Sequence, residues 1–334
     1  MVGGGVLDAP KLSCFEMRGL PRTPAPTQKT VGGGVLDAPK LSCLKTRGLL
    51  RTPAPTQKTV GGGALDAPKL SRLETRGLSR TPAPTQKTES EFTMEAKLSR
   101  DMIILPSVCD WGVKLSIPDL FAQFMDIATL HAEQIGVGEA ALEARGLYWI
   151  TVKTKARILR RPAMMERVTL STRPLLPEKV RAVREYRLEQ DGVLLAEGKT
   201  EWAVMDAATG RPRATEGVFP PELELATEPS YPDPFARLDP DFSQAEQIGE
   251  YRVRSTDIDL LGHMNNVAYL RALLGLLSVE EQKTMPQAGV EIIFRAPCFE
   301  GELLSVRRRI TETGWELAAL RPDGKPAVFL KLDR

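Results

Sequence analysis

Between Asp257 and Asn266, two carboxylates, an imidazole and two carboxamides fall within ten residues: Asp257, Asp259, His263, Asn265 and Asn266, with Gly262 among them. An apolar run, Val267-Ala268-Tyr269-Leu270, follows at once and reads as the start of a helix. Asn265 or Asn266 can cap that helix, and Gly262 permits a backbone turn that other residues resist. The first turn of a helix carries N–H groups with no intrahelical acceptor, and such amides stabilise an oxyanion. One preorganised donor is worth roughly 3–4 kcal/mol in a transition state. A carboxylate beside them can activate water or attack a carbonyl, and general-base assistance contributes roughly 10²–10⁴-fold. The toolkit suits acyl transfer to water. Asp, Asn and Gly also build turns and caps, so a purely structural loop is the competing reading.

The elements around this loop occur twice. In the first copy a strand-like run at 102–105 leads to the loop Cys109-Asp110-Trp111-Gly112. Ser116 then caps a helix with Pro118 and Asp119 in its first turn. Leu120, Phe124, Ile127, Ala128, His131 and Ile135 form one apolar face at helical spacing, and Gly136 and Gly138 end it. Extended runs follow at 147–159, 167–173, 180–188 and 193–205, with a hairpin turn at Asp191-Gly192. After a Pro-rich connector (219–241) the order returns. A strand at 249–254 feeds the Asp257–Asn265 loop, then a helix over about 266–278 and strands at 290–295, 303–311, 315–320 and 327–332. Strand, helix and four antiparallel strands, written twice, predict an α+β fold in which each long helix lies on an antiparallel sheet. Pairing the two sheets edge to edge removes exposed edges.

The spacing D-x-D-x-x-G-H-x-N-N-x-x-Y over 257–269 resembles the signature loop of hotdog-fold thioesterases, and residues 97–334 resemble the acyl-ACP thioesterase family. In the first copy, Gly146-Leu147-Tyr148-Trp149, Arg161-Pro162, Glu201-Trp202-Ala203-Val204-Met205-Asp206 and Thr209-Gly210-Arg211-Pro212 follow in the family's order. The resemblance implies two tandem hotdog domains, each a long helix wrapped by a sheet, at 97–218 and 246–334 with a linker at 219–245. It implies catalysis in the second domain, acyl-chain binding largely in the first, and hydrolysis of fatty acyl-ACP. Asp259 matches the catalytic carboxylate and His263 its histidine, with Gly262, Asn265 and Asn266 at the substrate carbonyl. Two positions depart from plant-type members. Leu261 stands where they have an asparagine, and Pro297 where an acidic residue precedes the cysteine once called the nucleophile. Cys298 matches that cysteine and stays a candidate beside a plain buried thiol. The expected mechanism is therefore a carboxylate with helix-end amides. An acyl-CoA carrier, a non-catalytic acyl-thioester binder and a dehydratase of the same fold remain rivals.

His131, the other histidine, reads as a core or tunnel-wall residue, and Asp110 as a carboxylate without a histidine partner. Lys153, Lys155 and Arg157 alternate along a strand, with Arg160 and Arg161 beyond. They form either a solvated face or a docking patch for an acidic carrier protein, and Arg307-Arg308-Arg309 poses the same choice.

The chain of 334 residues has a formal net charge of +2, but the charge is divided. Residues 2–30, 31–59 and 60–88 are three copies of a 29-residue unit carrying 14 basic and 5 acidic residues, which leaves −7 for the rest. Each unit holds a triple glycine and a Thr-Pro-Ala-Pro-Thr run and lacks helical or strand periodicity. Such units cannot bury a shared core, so 1–93 is expected to be disordered and Met94 is a candidate native start. The basic residues are dispersed and almost without aromatics, which speaks against nucleic acid. No run reaches the roughly 18 apolar residues of a membrane span, and no secretory signal opens the chain, so a cytoplasmic location is expected. Cys14, Cys43, Cys109 and Cys298 stand far apart with no C-x-x-C pair, against a zinc ribbon or disulfide framework. No phosphate loop, dinucleotide fingerprint or metal-ligand spacing is present, so no cofactor or metal is expected, and a homodimer is left open.

Overall fold

The computed structural model describes residues 96–334, so the expectations for 1–93 and for Met94 lie outside the described residues. The first half contains β1 (Leu98–Ile103), α1 (Ile117–Gln134), α2 (Glu139–Glu143), β2 (Leu147–Ile158), β3 (Arg167–Pro174), β4 (Ala182–Gln190), β5 (Val193–Asp206) and the short β6 (Pro212–Arg213). The second contains β7 (Glu246–Arg252), α3 (Asn266–Gly275), α4 (Val279–Thr284), β8 (Gly289–Phe294), β9 (Leu303–Ile310), β10 (Gly314–Leu320) and β11 (Pro326–Asp333). All strands share one antiparallel sheet in the order β1-β3-β4-β5-β2-β8-β11-β10-β9-β7, with β6 on β5. The order reads the same way outward from its centre, where β2 joins β8 with Lys153 opposite Ile293 and Arg157 opposite Gly289. Each half is a hotdog unit, a helix covered by a curled antiparallel sheet. Among the described residues no helix is long and apolar enough to cross a membrane.

α1 forms as its sequence dictates. Ser116 Oγ accepts from Asp119 N at 3.1 Å, Pro118 occupies the first turn, and Leu120, Phe121, Phe124, Ile127, Ala128 and His131 are buried on one face. Phe124 stacks on Tyr186 of β4 with ring centroids 4.4 Å apart. Gly198 of β5 makes that approach feasible, because a Cβ there would lie 2.5 Å from the Phe124 ring and 2.8 Å from the Lys155 carbonyl. Burying each such large apolar side chain contributes about 1.5–3 kcal/mol.

Four local expectations need correction. β1 begins at Leu98, ahead of the strand-like run at 102–105, because residues 98–103 all find partners on β3. The second helix ends at Gly275, short of 278. Ser278 instead caps α4, accepting from Glu281 N while Glu281 accepts from Ser278 N, a reciprocal capping box. A short α2 follows Gly138, where only a helix end was read.

The fourth concerns the basic row of β2. Lys153 pairs with Glu201 at 3.5 Å, Lys155 with Glu291 at 3.9 Å, and Arg157 with Glu197. The connector crosses above them. Tyr231 O accepts from Lys199, Pro234 O accepts from Lys155, and the Ala236 amide donates to Glu291. Lys153 and Lys155 are thus neutralised by neighbouring strands and covered by the connector, whereas Arg157 and Arg160 are ion-paired yet still exposed, as a solvated face would be. Arg307, Arg308 and Arg309 are likewise engaged, by Phe242 and Ser243 carbonyls, by Glu246 and Glu281, and by Glu316. Burial holds the Glu291 carboxyl above its usual range and the Lys199 ammonium below its own.

Candidate active site

The loop ahead of α3 is a tight, internally bonded turn. Asp259 N donates to His263 O at 3.0 Å, Gly262 N to Asp259 O at 3.0 Å, and Ile258 bridges to Met264. Gly262 sits at φ +78°, a left-handed conformation that costs glycine little. The turn brings the Asp259 and His263 side chains to the same side, with Oδ1 3.8 Å from Nδ1. Asp259 Oδ1 also accepts from Leu261 N at 2.9 Å, which fixes the carboxylate's direction. Both side chains are part-exposed.

The other polar residues of the loop have separate duties. Asp257 Oδ2 accepts from Tyr251 Oη and from Arg254 N, both at 2.8 Å, so this carboxylate closes the turn that precedes the site. Asn265 is the N-cap, its Oδ1 accepting from Val267 N at 2.9 Å. Asn266 donates from Nδ2 to Thr151 Oγ1 of β2 at 2.9 Å, which joins the site to the first half of the chain. Asn265 Oδ1 and Asn266 Nδ2 are thus engaged in structural bonds. The first-turn amides of Asn266 and Ala268 donate to no acceptor among the described residues.

Cys298 is fully buried, and burial pushes its thiol up to about 11. A nucleophilic cysteine needs the opposite shift. Its backbone has the evident role: Cys298 O accepts from Met264 N at 2.8 Å, and Cys298 N donates to Tyr269 Oη at 3.0 Å. The segment is thereby pinned to both the loop and α3. Burial raises the Tyr269 phenol further still, so it stays protonated.

Sequence reasoning grouped Asp259, His263, Gly262, Asn265 and Asn266, and the fold brings all five to the head of α3. It missed Thr151 and Tyr269. Tyr269 closes the D-x-D-x-x-G-H-x-N-N-x-x-Y spacing and was visible there, whereas nothing in the local sequence of β2 marks Thr151. His131 is buried on α1 with Nδ1 2.8 Å from Arg184 Nη1, away from this loop. Asp110 is paired with Arg161.

The family model for the acyl-ACP thioesterase N-terminal domain matches residues 95–218, and that for the acyl-ACP thioesterase C-terminal domain matches residues 242–320. Among solved structures, an acyl-ACP thioesterase from Bacteroides thetaiotaomicron is similar with a TM-score of 0.66 at 18% identity, covering 71% of this chain and 97% of that one. The 12:0-ACP thioesterase from Umbellularia californica is similar with a TM-score of 0.61 at 15% identity, covering 71% of this chain and 96% of the other. At such identities the likeness shows the fold. No curated protein sequence matches the chain.

Proposed function

Because this chain belongs to the acyl-ACP thioesterase family and so to the thioester hydrolases, we propose that it cleaves fatty acyl-ACP to a free fatty acid and the carrier thiol, with Asp259 as general base. The observation that carries this reading is the Asp259–His263 pair, 3.8 Å apart, at the head of α3. A thioester carbonyl aimed at the first turn of α3 places its oxygen toward the Asn266 and Ala268 amides. Asp259 takes a proton from a water molecule as the hydroxyl bonds to the carbonyl carbon. The negative charge gathers on the carbonyl oxygen, where the amides stabilise it. The C–S bond then breaks, the electron pair leaves on sulfur, and the proton held at Asp259 returns to the thiolate. His263 orients the carboxylate or the water beside it.

The exposed Leu260 and Leu261 flank the site and offer an apolar rim to the arm of the carrier. Thiol release from matched acyl-ACP and acyl-CoA substrates tests the proposal, with wild type and Asp259→Asn side by side. Rapid release from acyl-ACP, lost in Asp259→Asn, is expected. Equal rates in both proteins remove Asp259 from the mechanism, and faster release from acyl-CoA changes the carrier.

A further inference from the structure

The inner face of the first half's sheet is not a plain hydrocarbon wall. On β4 the side chains alternate: Glu185 and Arg187 pair with charged groups on the connector side, while Arg184, Tyr186 and Leu188 are buried toward α1. Arg184 is 6% exposed. Its Nη1 contacts His131 Nδ1 at 2.8 Å and Thr172 Oγ1 at 3.4 Å, and its Nε and Nη2 make no hydrogen bond among the described residues. A guanidinium only donates, so His131 Nδ1 accepts. Among the described residues, the groups beside Arg184 besides His131 are Thr172 from β3, Thr200 and Trp202 from β5 and Tyr186 from β4 itself, none of them a carboxylate. No carboxylate among the described residues forms an ion pair with Arg184.

More unsatisfied polarity lies beside it. Thr200, opposite Arg184, shares a 3.0 Å contact with Thr154, and the buried Tyr186 Oη lies beside Thr200 and Trp202 without a well-aligned hydrogen bond to either. A cation buried without an anion is expensive unless something completes it. The cluster also lies in line with the catalytic loop. Thr151, which receives Asn266, is opposite Trp202 on β5, and Trp202 is opposite Ala182 on β4. Arg184 is two residues further along β4. Two interstrand steps and two residues of rise put it about 12 Å from Thr151, a span that a medium-length acyl chain covers.

We propose that Arg184 is a specificity-determining residue that receives an oxygen-bearing group, anionic by preference, at the far end of the acyl chain. The enzyme would then favour ω-carboxyacyl and ω-hydroxyacyl thioesters over methyl-terminated chains of equal length. Thr200, Tyr186 and Trp202 supply further hydrogen bonds to that group. The inference rests on the acyl-thioester hydrolysis proposed above and adds the chemistry of the chain end.

The test measures kcat/KM for wild-type enzyme on methyl-, hydroxyl- and carboxyl-terminated acyl thioesters, matched in carbon number across a series of lengths on one carrier. A preference of about 10- to 100-fold for an oxygenated end is expected at one favoured length, the factor a charged hydrogen bond supports. Arg184→Met should reverse the preference and Arg184→Lys should restore part of it. Because the wild-type comparison needs no variant, a misfolded Arg184→Met leaves it decisive. Methyl-terminated chains hydrolysed faster at every length overturn the inference and leave the thioesterase reading standing. Hydrolysis of none of the chains removes both.

Discussion

The loop at 110–116 and the loop at 259–265 follow the same backbone course on opposite halves of the sheet. Asp110 N bonds Lys114 O as Asp259 N bonds His263 O, and Gly112 N donates to the Asp110 carboxylate as Leu261 N donates to that of Asp259. Cys109 bridges to Leu115 as Ile258 does to Met264, and both loops end on a helix cap, Ser116 or Asn265. Their side chains diverge. Lys114 stands where His263 would be, and Arg161 reaches in to pair with Asp110 and to donate to Leu115 O at 3.2 Å. One carboxylate is paired with the Arg161 guanidinium, while the other faces a histidine, and both are part-exposed. The same scaffold holds an arginine-paired carboxylate in one half and a histidine-paired carboxylate, the proposed base, in the other.

The sharpest break of this comparison is a pair of identical changes. Asp259→Asn should lower kcat for thiol release by about 10²–10⁴-fold. Asp110→Asn should leave kcat within about twofold yet cost roughly 1–3 kcal/mol in denaturant unfolding, because Arg161 loses its partner. Comparable losses of activity would mean that both loops take part in the chemistry. Next, His263→Lys, which copies the first loop, should lower kcat/KM by roughly 10–100-fold without moving the melting temperature by more than a few degrees.

The turn itself gives a third contrast. Val113 adopts φ +56° where the second loop uses Gly262 at +78°, and a β-branched residue there is strained. Gly262→Val should destabilise by about 1–2 kcal/mol and reduce activity, whereas Val113→Gly should be neutral or stabilising. Cys298→Ala should keep kcat within about twofold and lower stability by about 1 kcal/mol. In the native protein, alkylation at Cys298 should be slow at neutral pH, since burial pushes its thiol up to about 11.

The smallest effect separates the two short helices. α4 has the Ser278–Glu281 box, whereas α2 starts at Gly138 without a side-chain cap. Hydrogen bonds from Ser278 and Arg308 lower the Glu281 carboxyl to about 2. A depressed carboxylate stabilises the folded state above its unfolded value and loses that contribution as pH falls through the folded one. Protection factors of the α4 amides, corrected for intrinsic exchange, should therefore fall between about pH 4.5 and about 2, and those of α2 should not follow.

Much of the site was legible because its residues are local. A single turn of chain carries Asp259, Gly262, His263 and Asn265, and short-range hydrogen bonds dictate their arrangement whatever the rest of the molecule does. The spacing of α1 and the duplicated order of elements were equally readable, since helical and strand periods are properties of the sequence. The end of α3 was not read correctly, because Ser278 and Glu281 begin a new helix within a polar stretch that continues the apparent pattern.

The identities and spacing of residues alone settled the two-fold plan, the capped helices and the carboxylate–imidazole loop. Only the folded chain decided who meets whom across long separations. Thr151 reaches Asn266 from 115 positions away, Arg161 reaches Asp110 from 51, and Arg184 lies buried beside His131 across 53. Contacts of that range depend on strand register and on the pairing of β2 with β8, which no local pattern encodes. For the same reason the alternating lysines of β2 could not be told from a surface patch until the strands on either side, and the connector above them, were in place.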